Sequence, residues 1–198
     1  AHCYIEGIKN TESPKWLKDK LISIGMSPIS AVVDVTNYIM LDLNRPLHAY
    51  DADKIERKVV VRSSKKGEKF LALDNNNYSL EDSACLITNE QKILGLGGVI
   101  GGESSSISLD TKNIFIESAL FDPVKISKIA KKLGINSDAK FRFERGVDPN
   151  IMEYGLKLAA KIINKLCGGK ISNLLISGEA NFKNKQIKFN SDKFEKII

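Results

Sequence analysis

The sequence predicts an α+β fold, a layered α/β arrangement of mixed sheets flanked by helices. Two segments near the N-terminus carry apolar residues at spacings of three and four, the signature of amphipathic helices. From residue 58 the apolar period falls to two or to short apolar runs, which reads as strands. Helical spacing returns after Pro123 and again after Pro149. Helices and strands therefore come in groups and not in a regular βαβ series, which favours α+β.

Taken in order, residues 4–9 suit a short strand. Ser13-Pro14 opens a helix, with an acceptor at N-cap, proline at N1 and Trp16, Leu17, Leu21 and Ile24 at helical spacing. Gly25 is its expected stop. Ser27-Pro28 starts a second helix running to about residue 43, with Val32, Val35, Tyr38, Ile39 and Leu43 on one stripe; Arg45-Pro46 then forces extended chain. Strands are expected at 58–63, 84–88, 92–96 and 114–119, with turns at 74–77 and 89–90. In the last of these, Ile114 and Ile116 face one way, Phe115 and Glu117 the other. Asp122-Pro123 caps a helix that ends at Gly134. Phe141 and Phe143 alternate with Arg142 and Glu144, predicting a short strand before the Gly146 turn. Asp148-Pro149 begins a helix to about Cys167, buried along Ile151, Tyr154, Leu158, Ile162 and Leu166 and closed by Gly168-Gly169. Strands follow near 171–177 and 185–190. Ser191-Asp192 opens a helix of only two turns, too short to stand alone. The expectation is one domain over 1–190 and the cut start of a following domain at 191–198.

Composition narrows the class. A chain of 198 residues with 42% apolar content builds one real core. No run approaches eighteen apolar residues, so no transmembrane helix is expected, and Ala1-His2-Cys3-Tyr4 lacks the basic-then-apolar pattern of a signal peptide. Cys3, Cys85 and Cys167 are scattered and odd in number, which predicts neither a disulfide framework nor a metal site and fits a reducing, cytoplasmic setting. A net charge of +6 permits a nucleic-acid partner without requiring one, because a Lys-, Ile- and Asn-rich composition produces it as well.

Few residues carry obvious chemistry. His48 is the one histidine away from the terminus, in Pro46-Leu47-His48-Ala49-Tyr50-Asp51. It is either a packing residue or a group that positions a reactant. Glu117 ends an apolar strand, where a carboxylate must be solvated, paired or used. Gly95, Gly97, Gly98, Gly101 and Gly102 fall within eight residues, but no strand–GxGxxG–helix context or Gly-Lys-Ser/Thr follows. Such glycines let the backbone approach a ligand or fit a tight bend. Thr36 and Asn37 lie on the second helix, Asn37 either lining a cleft or exposed. Arg142 and Arg145 are two of only five arginines, placed where planar, multi-donor geometry is useful.

The stretch Ser137-Asp138-Ala139-Lys140-Phe141-Arg142-Phe143-Glu144-Arg145-Gly146-Val147-Asp148-Pro149 resembles a signature of the bacterial phenylalanyl-tRNA synthetase beta subunit. Val32-Val33-Asp34-Val35-Thr36-Asn37-Tyr38, Arg45-Pro46-Leu47-His48-Ala49-Tyr50-Asp51 and Gly97-Gly98-Val99-Ile100-Gly101-Gly102-Glu103 are similar to further signatures, in the right order. Four ordered motifs cover nearly the whole chain, and the matching region is the B3/B4 module that carries the family's editing site.

The resemblance implies hydrolysis of tyrosine mistakenly esterified to tRNA(Phe). It implies that Glu117 recognises the phenolic hydroxyl, and that His48, Asn37 and Ser137 lie around the ester and its water. Thr36 joins the substrate-binding set, while Gly98, Gly101 and Ala139 keep the pocket open. Partners implied are the 3′ end of tRNA(Phe) and, in the full enzyme, the alpha subunit. No cofactor or metal is implied for this segment; ATP and Mg belong to the synthetic machinery elsewhere. The sequence departs from the family pattern at Ser137 (usually Thr), Asn44-Arg45 (usually Gly-Gln) and Tyr50 (usually Phe); none removes a chemical group the implied site needs, and Arg45 and Tyr50 are expected to bear on substrate preference. The alternative reading is a non-catalytic RNA-binding or scaffold module, which lysine-rich faces and the lack of a recognisable triad would suit.

Overall fold

A computed structural model of the chain describes residues 1–55, 58–178 and 186–191. In chain order its elements are β1 (His2–Glu6), α1 (Lys15–Ile22), α2 (Ala31–Asp42), β2 (His48–Asp51), β3 (Val60–Ser63), β4 (Lys69–Leu71) and β5 (Asn77–Ser79). There follow β6 (Cys85–Thr88), β7 (Ile93–Leu96), β8 (Ile100–Gly101), β9 (Ile114–Glu117), α3 (Pro123–Leu133), α4 (Asp138–Phe143), α5 (Met152–Cys167) and β10 (Lys170–Ile171). This is the expected α+β architecture, and every described pairing between its strands is antiparallel.

The first layer pair is a sheet of order β10-β1-β9-β2 with helices on one face. Strand alternation sends Cys3, Ile5, Ala49, Ile114 and Ile116 into a core with Leu17, Leu21, Val32, Val35, Leu156 and Ile163 from α1, α2 and α5. A second sheet, β3-β6-β7-β8, packs Leu86 and Leu96 against Ile126 and Ala130 of α3 and Phe143 of α4. Between the sheets, Tyr50 and Phe115 from the first meet Ile87 and Leu94 from the second. Strands β2 and β9 of the first sheet are thus covered on both faces, aliphatic toward the helices and aromatic toward the other sheet, while the outer face of β1 and all of β10 stay largely exposed.

Local signals account for several ends. Asp122 accepts from the backbone N–H of Val124 and Lys125 at 2.9 and 3.1 Å, and Gly134 (φ 71°) closes α3, as the sequence predicts. Asp148 caps a 3-10 turn, Pro149–Ile151, that runs into α5. Other expectations shift. Ser13 does not cap α1; its hydroxyl donates to Asp34 Oδ2 at 2.5 Å, and Asp34 Oδ1 accepts from Ile29 N at 2.8 Å. That buried carboxylate consumes the start expected at Ser27-Pro28, so α2 begins at Ala31. Near 171–177, only Lys170–Ile171 and a single bridge at Leu175 pair with β1. Residues 186–190 form no strand, and the helix expected at 192–198 lies outside the described residues.

The clearest correction is at Phe141–Glu144, where Phe141–Phe143 end α4 and Glu144 caps it, so the segment is not a strand. Only Phe143 is buried, while Phe141 is 53% exposed, so the alternation did not mark two sheet faces. Ser137 caps α4 by accepting from Lys140 N at 3.0 Å. The pairs Asp138–Arg142 and Lys140–Glu144 then lie four residues apart on one turn. Arg145 stacks on the Phe141 ring at 3.7 Å. Those i,i+4 pairs were visible in the sequence and outweigh a four-residue alternation. No helix among the described residues is long and apolar enough to cross a membrane.

One buried cation ties the halves together. Arg45 has no solvent exposure. Its Nε donates to Ser118 Oγ at 3.0 Å and a terminal nitrogen donates to the Ala119 carbonyl at 2.5 Å; Ser118 Oγ in turn donates to the Met152 carbonyl at 3.0 Å. The α2–β2 link, the end of β9 and the start of α5 meet there. Gly155 of α5 leaves room for the arginine stem, since a Cβ would lie 3.2 Å from Arg45 Cγ. Burial lowers the guanidinium pKa to about 10 against the opposing pull of Asp148, so it stays charged at neutral pH. We expect Arg45→Ala to destabilise by about 2–4 kcal/mol through lost packing and orphaned acceptors. Arg45→Lys should recover only part, because one ammonium lacks the planar fork. Urea denaturation followed by circular dichroism measures both; an alanine variant as stable as the parent would mean that desolvation of the guanidinium cancels its bonds.

Candidate functional site

The site grows from strand register. His48 of β2 lies directly opposite Glu117 of β9, and Tyr50 opposite Phe115. Alternation places these four side chains on the same face of the sheet, the face turned away from the helices. The chain after β9 adds Ala119 and Phe121, the bend from β7 to β8 adds Gly95 to Gly101, and α4 adds Ala139 and Phe143. Together they enclose a cavity of about 70 Å³, room for several waters. Its lining is largely aliphatic, aromatic and glycine backbone, with His48 and Glu117 among its few polar side chains.

Two glycines are required by what they touch. At Gly101 a Cβ would lie 2.7 Å from His48 Nε2, so any side chain displaces the imidazole. At Gly98, φ is +72° and a Cβ would lie 2.8 Å from both Phe121 and Ile126. Both let the backbone of the bend close onto rings that wall the cavity.

Glu117 accepts a hydrogen bond on Oε2 from the Tyr50 hydroxyl at 2.9 Å. Burial raises the carboxyl pKa and the Tyr50 bond opposes the rise. The same burial, joined by the charge of Glu117, drives the Tyr50 phenol well above its usual range, so the phenol holds its proton and the shared bond. Cys85, behind the bend, is pushed up by burial first and then by Glu117. His48 packs edge-on against Tyr50, with ring centroids 4.3 Å apart. Burial depresses its pKa to about 4, so at neutral pH it is an uncharged imidazole with one donor and one acceptor nitrogen.

Of the residues singled out from sequence, His48, Glu117, Gly98, Gly101 and Ala139 come together at the cavity. Thr36, Asn37 and Ser137 do not line it. Thr36 is buried on α2 and donates to the Val33 carbonyl at 2.7 Å; Asn37 follows it on that helix, partly buried. The Ser137 hydroxyl donates to the Val99 carbonyl at 2.5 Å while capping α4, clamping that helix to the glycine bend. Phe121 and Phe143 are wall residues that the sequence reading did not place there, and Tyr50, read only as a departure bearing on substrate preference, is another. Tyr50 shares the period-two face of His48, a signal hidden because residues 48–51 did not read as a strand. Among the described residues no group of three or more His, Cys, Asp and Glu is disposed to hold a metal ion.

The site is an aromatic-walled cleft at the seam of two sheets of an α+β domain, with one acidic acceptor and one neutral imidazole in its lining. The B3/4 domain model matches residues 1–168, and the chain belongs to that family. It is similar to the phenylalanine–tRNA ligase beta subunit of Wolbachia sp. subsp. Brugia malayi, 45% identical over 186 residues, which are 94% of this chain and 24% of that protein. Against the beta subunit of Rhodospirillum rubrum it is 47% identical over 176 residues, 88% of this chain and 22% of that protein. The chain therefore spans about a quarter of the length of these relatives. A solved N-terminal fragment of the phenylalanyl-tRNA synthetase beta subunit from Pyrococcus horikoshii shares the fold, with a TM-score of 0.51 at 17% identity, covering 86% of this chain and 45% of that one. The family resemblance read from the four motifs is thus borne out.

The neutral His48 makes stability depend on pH with a definite sign. In the unfolded chain its pKa is near 6.5 and in the fold about 4. Between those values the unfolded chain binds a proton that the folded chain does not, so this contribution is present above pH 6.5 and lost as pH falls toward 4. His48→Gln should flatten the wild-type fall in stability over pH 6.5–4 by about 1–3 kcal/mol. Paired urea titrations at pH 7, 5.5 and 4.5 test this; parallel curves would place His48 in a solvated setting.

Proposed function

We propose that this domain hydrolyses the ester of mischarged Tyr-tRNA(Phe), as the editing part of a phenylalanine–tRNA ligase beta subunit. The observation that carries the reading is Glu117: a carboxylate in an aromatic cleft, one oxygen held by Tyr50 and the group itself part of the cavity wall. A cleft built this way accepts a phenyl ring and rewards a hydroxyl on it. Phenylalanine would leave the second carboxylate oxygen unmatched, and such a site discriminates by roughly 10⁴–10⁵, far beyond what an apolar pocket achieves against one added hydroxyl. A synthetic site for phenylalanine needs that second check.

The chemistry asked of the chain is modest. An aminoacyl ester is already activated, so water held near its carbonyl carbon suffices. Water adds, the bond to the ribose oxygen breaks, and tyrosine and the free 3′-terminal ribose hydroxyl are released. Neutral His48 orients the water or a ribose hydroxyl, and no charged general base is required. The ribose hydroxyls of the tRNA assist. Gly98, Gly101 and Ala139 keep the cleft narrow but open, while Ser137 acts from outside it by holding α4 against the bend. Thr36 and Asn37 bear on the substrate only through α2. On this reading the domain works beside an alpha subunit in a cytoplasmic ligase whose ATP and Mg chemistry belongs to other parts of the enzyme, and the similarity to beta subunits supports that partner.

Single-turnover deacylation of Tyr-tRNA(Phe) and Phe-tRNA(Phe) tests the reading directly. We expect clear preference for the tyrosine ester in the parent protein. Glu117→Ala should reduce that preference by about a hundredfold or more, with Phe-tRNA(Phe) hydrolysis little changed. Equal losses on both esters would make Glu117 structural. No hydrolysis of either, with tRNA still bound, would favour a non-catalytic RNA-binding module.

A further inference from the structure

The hydrogen bond between Tyr50 and Glu117 gives the acidic acceptor a partner from the chain itself. Tyr50 is 2% exposed and held between rings: His48 stands edge-on at 4.3 Å and Phe115 lies tilted at 5.8 Å. Its hydroxyl donates to Oε2 of Glu117. Oε1 carries no described hydrogen bond, and it is not a buried, unsatisfied atom. The two carboxylate oxygens are therefore unequal, one fixed by a rigid phenol and the other without a described protein partner, on a residue that lines the cavity.

We propose that Tyr50 is a specificity-determining positioning residue: its hydroxyl locks the Glu117 carboxylate so that Oε1 alone receives the hydroxyl of a phenolic substrate. The inference rests on the editing reading. A carboxylate free to rotate spreads its acceptor over many directions, whereas one held by a short charge-assisted bond presents a single lone-pair direction. The bond has a second effect. Burial favours the protonated carboxyl, which donates as well as accepts and so reads a hydroxyl less selectively; the Tyr50 bond opposes that protonation. Other groups bearing on Glu117 are His48 opposite it on β2, His2 opposite it on β1, the Ala1 amino group and Cys85 on β6. His48 is uncharged at neutral pH, and the bond from β2 is the one that Tyr50→Phe removes without changing the ring.

The test compares wild type with Tyr50→Phe in the intact protein that carries this domain. Single-turnover hydrolysis of Tyr-tRNA(Phe) and Phe-tRNA(Phe) is measured over roughly pH 5–8.5, a window reaching above the ordinary carboxylate range. In parallel, the Glu117 carboxyl is titrated by carbon-13 NMR, and melting temperature confirms folding. We expect the tyrosine-over-phenylalanine ratio to fall about tenfold, the worth of one lost bond to a charged group, the loss falling chiefly on Tyr-tRNA(Phe). The Glu117 titration and the acid limb of the ratio should both move to higher pH. An unchanged ratio and titration in a folded variant overturns the proposal and leaves the editing reading standing. A ratio that rises shows the Tyr50 hydroxyl competing with the substrate and also overturns it. A wild type without preference for the tyrosine ester overturns the editing reading itself, and this proposal with it.

Discussion

Everything in this domain depends on a strand that must be buried on both faces. Ile114 and Ile116 of β9 sit in the helical core, while Phe115 and Glu117 face the second sheet. With β1 on one side and β2 on the other, β9 has no free edge. A slip of one residue in register would turn both isoleucines into the cleft and drive Glu117 into an aliphatic core, so the pairing is specified on both faces at once. The same register fixes the site: His48 must face Glu117, and Tyr50 must reach past it.

The polar groups at this junction survive burial because each is matched in kind. Arg45 bonds to Ser118, the sequence neighbour of Glu117, yet the two charges are not paired with each other. The guanidinium is met by a hydroxyl and a carbonyl, the carboxylate by a phenol. Direct pairing would have neutralised the acceptor that the cleft presents. Satisfying each by dipoles keeps the structural cation structural and leaves the acid available, at a desolvation cost seen in the lowered Arg45 and raised Glu117 pKa values. The alkyl stem of Arg45, packed on Gly155, makes the same residue a wedge between β9 and α5.

The second sheet contributes shape more than chemistry. Its glycine bend brings backbone against His48 and Phe121, where any side chain would intrude. Ser137 pins α4 to that bend through Val99, which keeps Ala139 and Phe143 as a wall. A hydroxyl that appeared in the sequence as a reactive group thus serves the site by holding its boundary.

The sequence by itself determined the helix stops and starts with strong local chemistry, such as Asp122-Pro123, Gly134 and Asp148-Pro149. It also determined the two-faced character of residues 114–117 and, through four ordered motifs, the family. These are short-range properties: a cap or an alternation is written in neighbouring residues. It misread 141–144, where a four-residue alternation looked like a strand although Ser137 and the i,i+4 ion pairs favour a helix. Tertiary structure alone decided which face each polar group would see. Thr36 and Ser137 spend their hydroxyls on backbone carbonyls, and Asn37 lies away from the cavity. Tyr50, read from sequence as a departure from the family pattern that bears on substrate preference, sits in hydrogen-bond contact with Glu117 across 67 positions of sequence. No local pattern encodes that contact, because it exists only once the pairing of β2 with β9 has brought the two side chains onto one face.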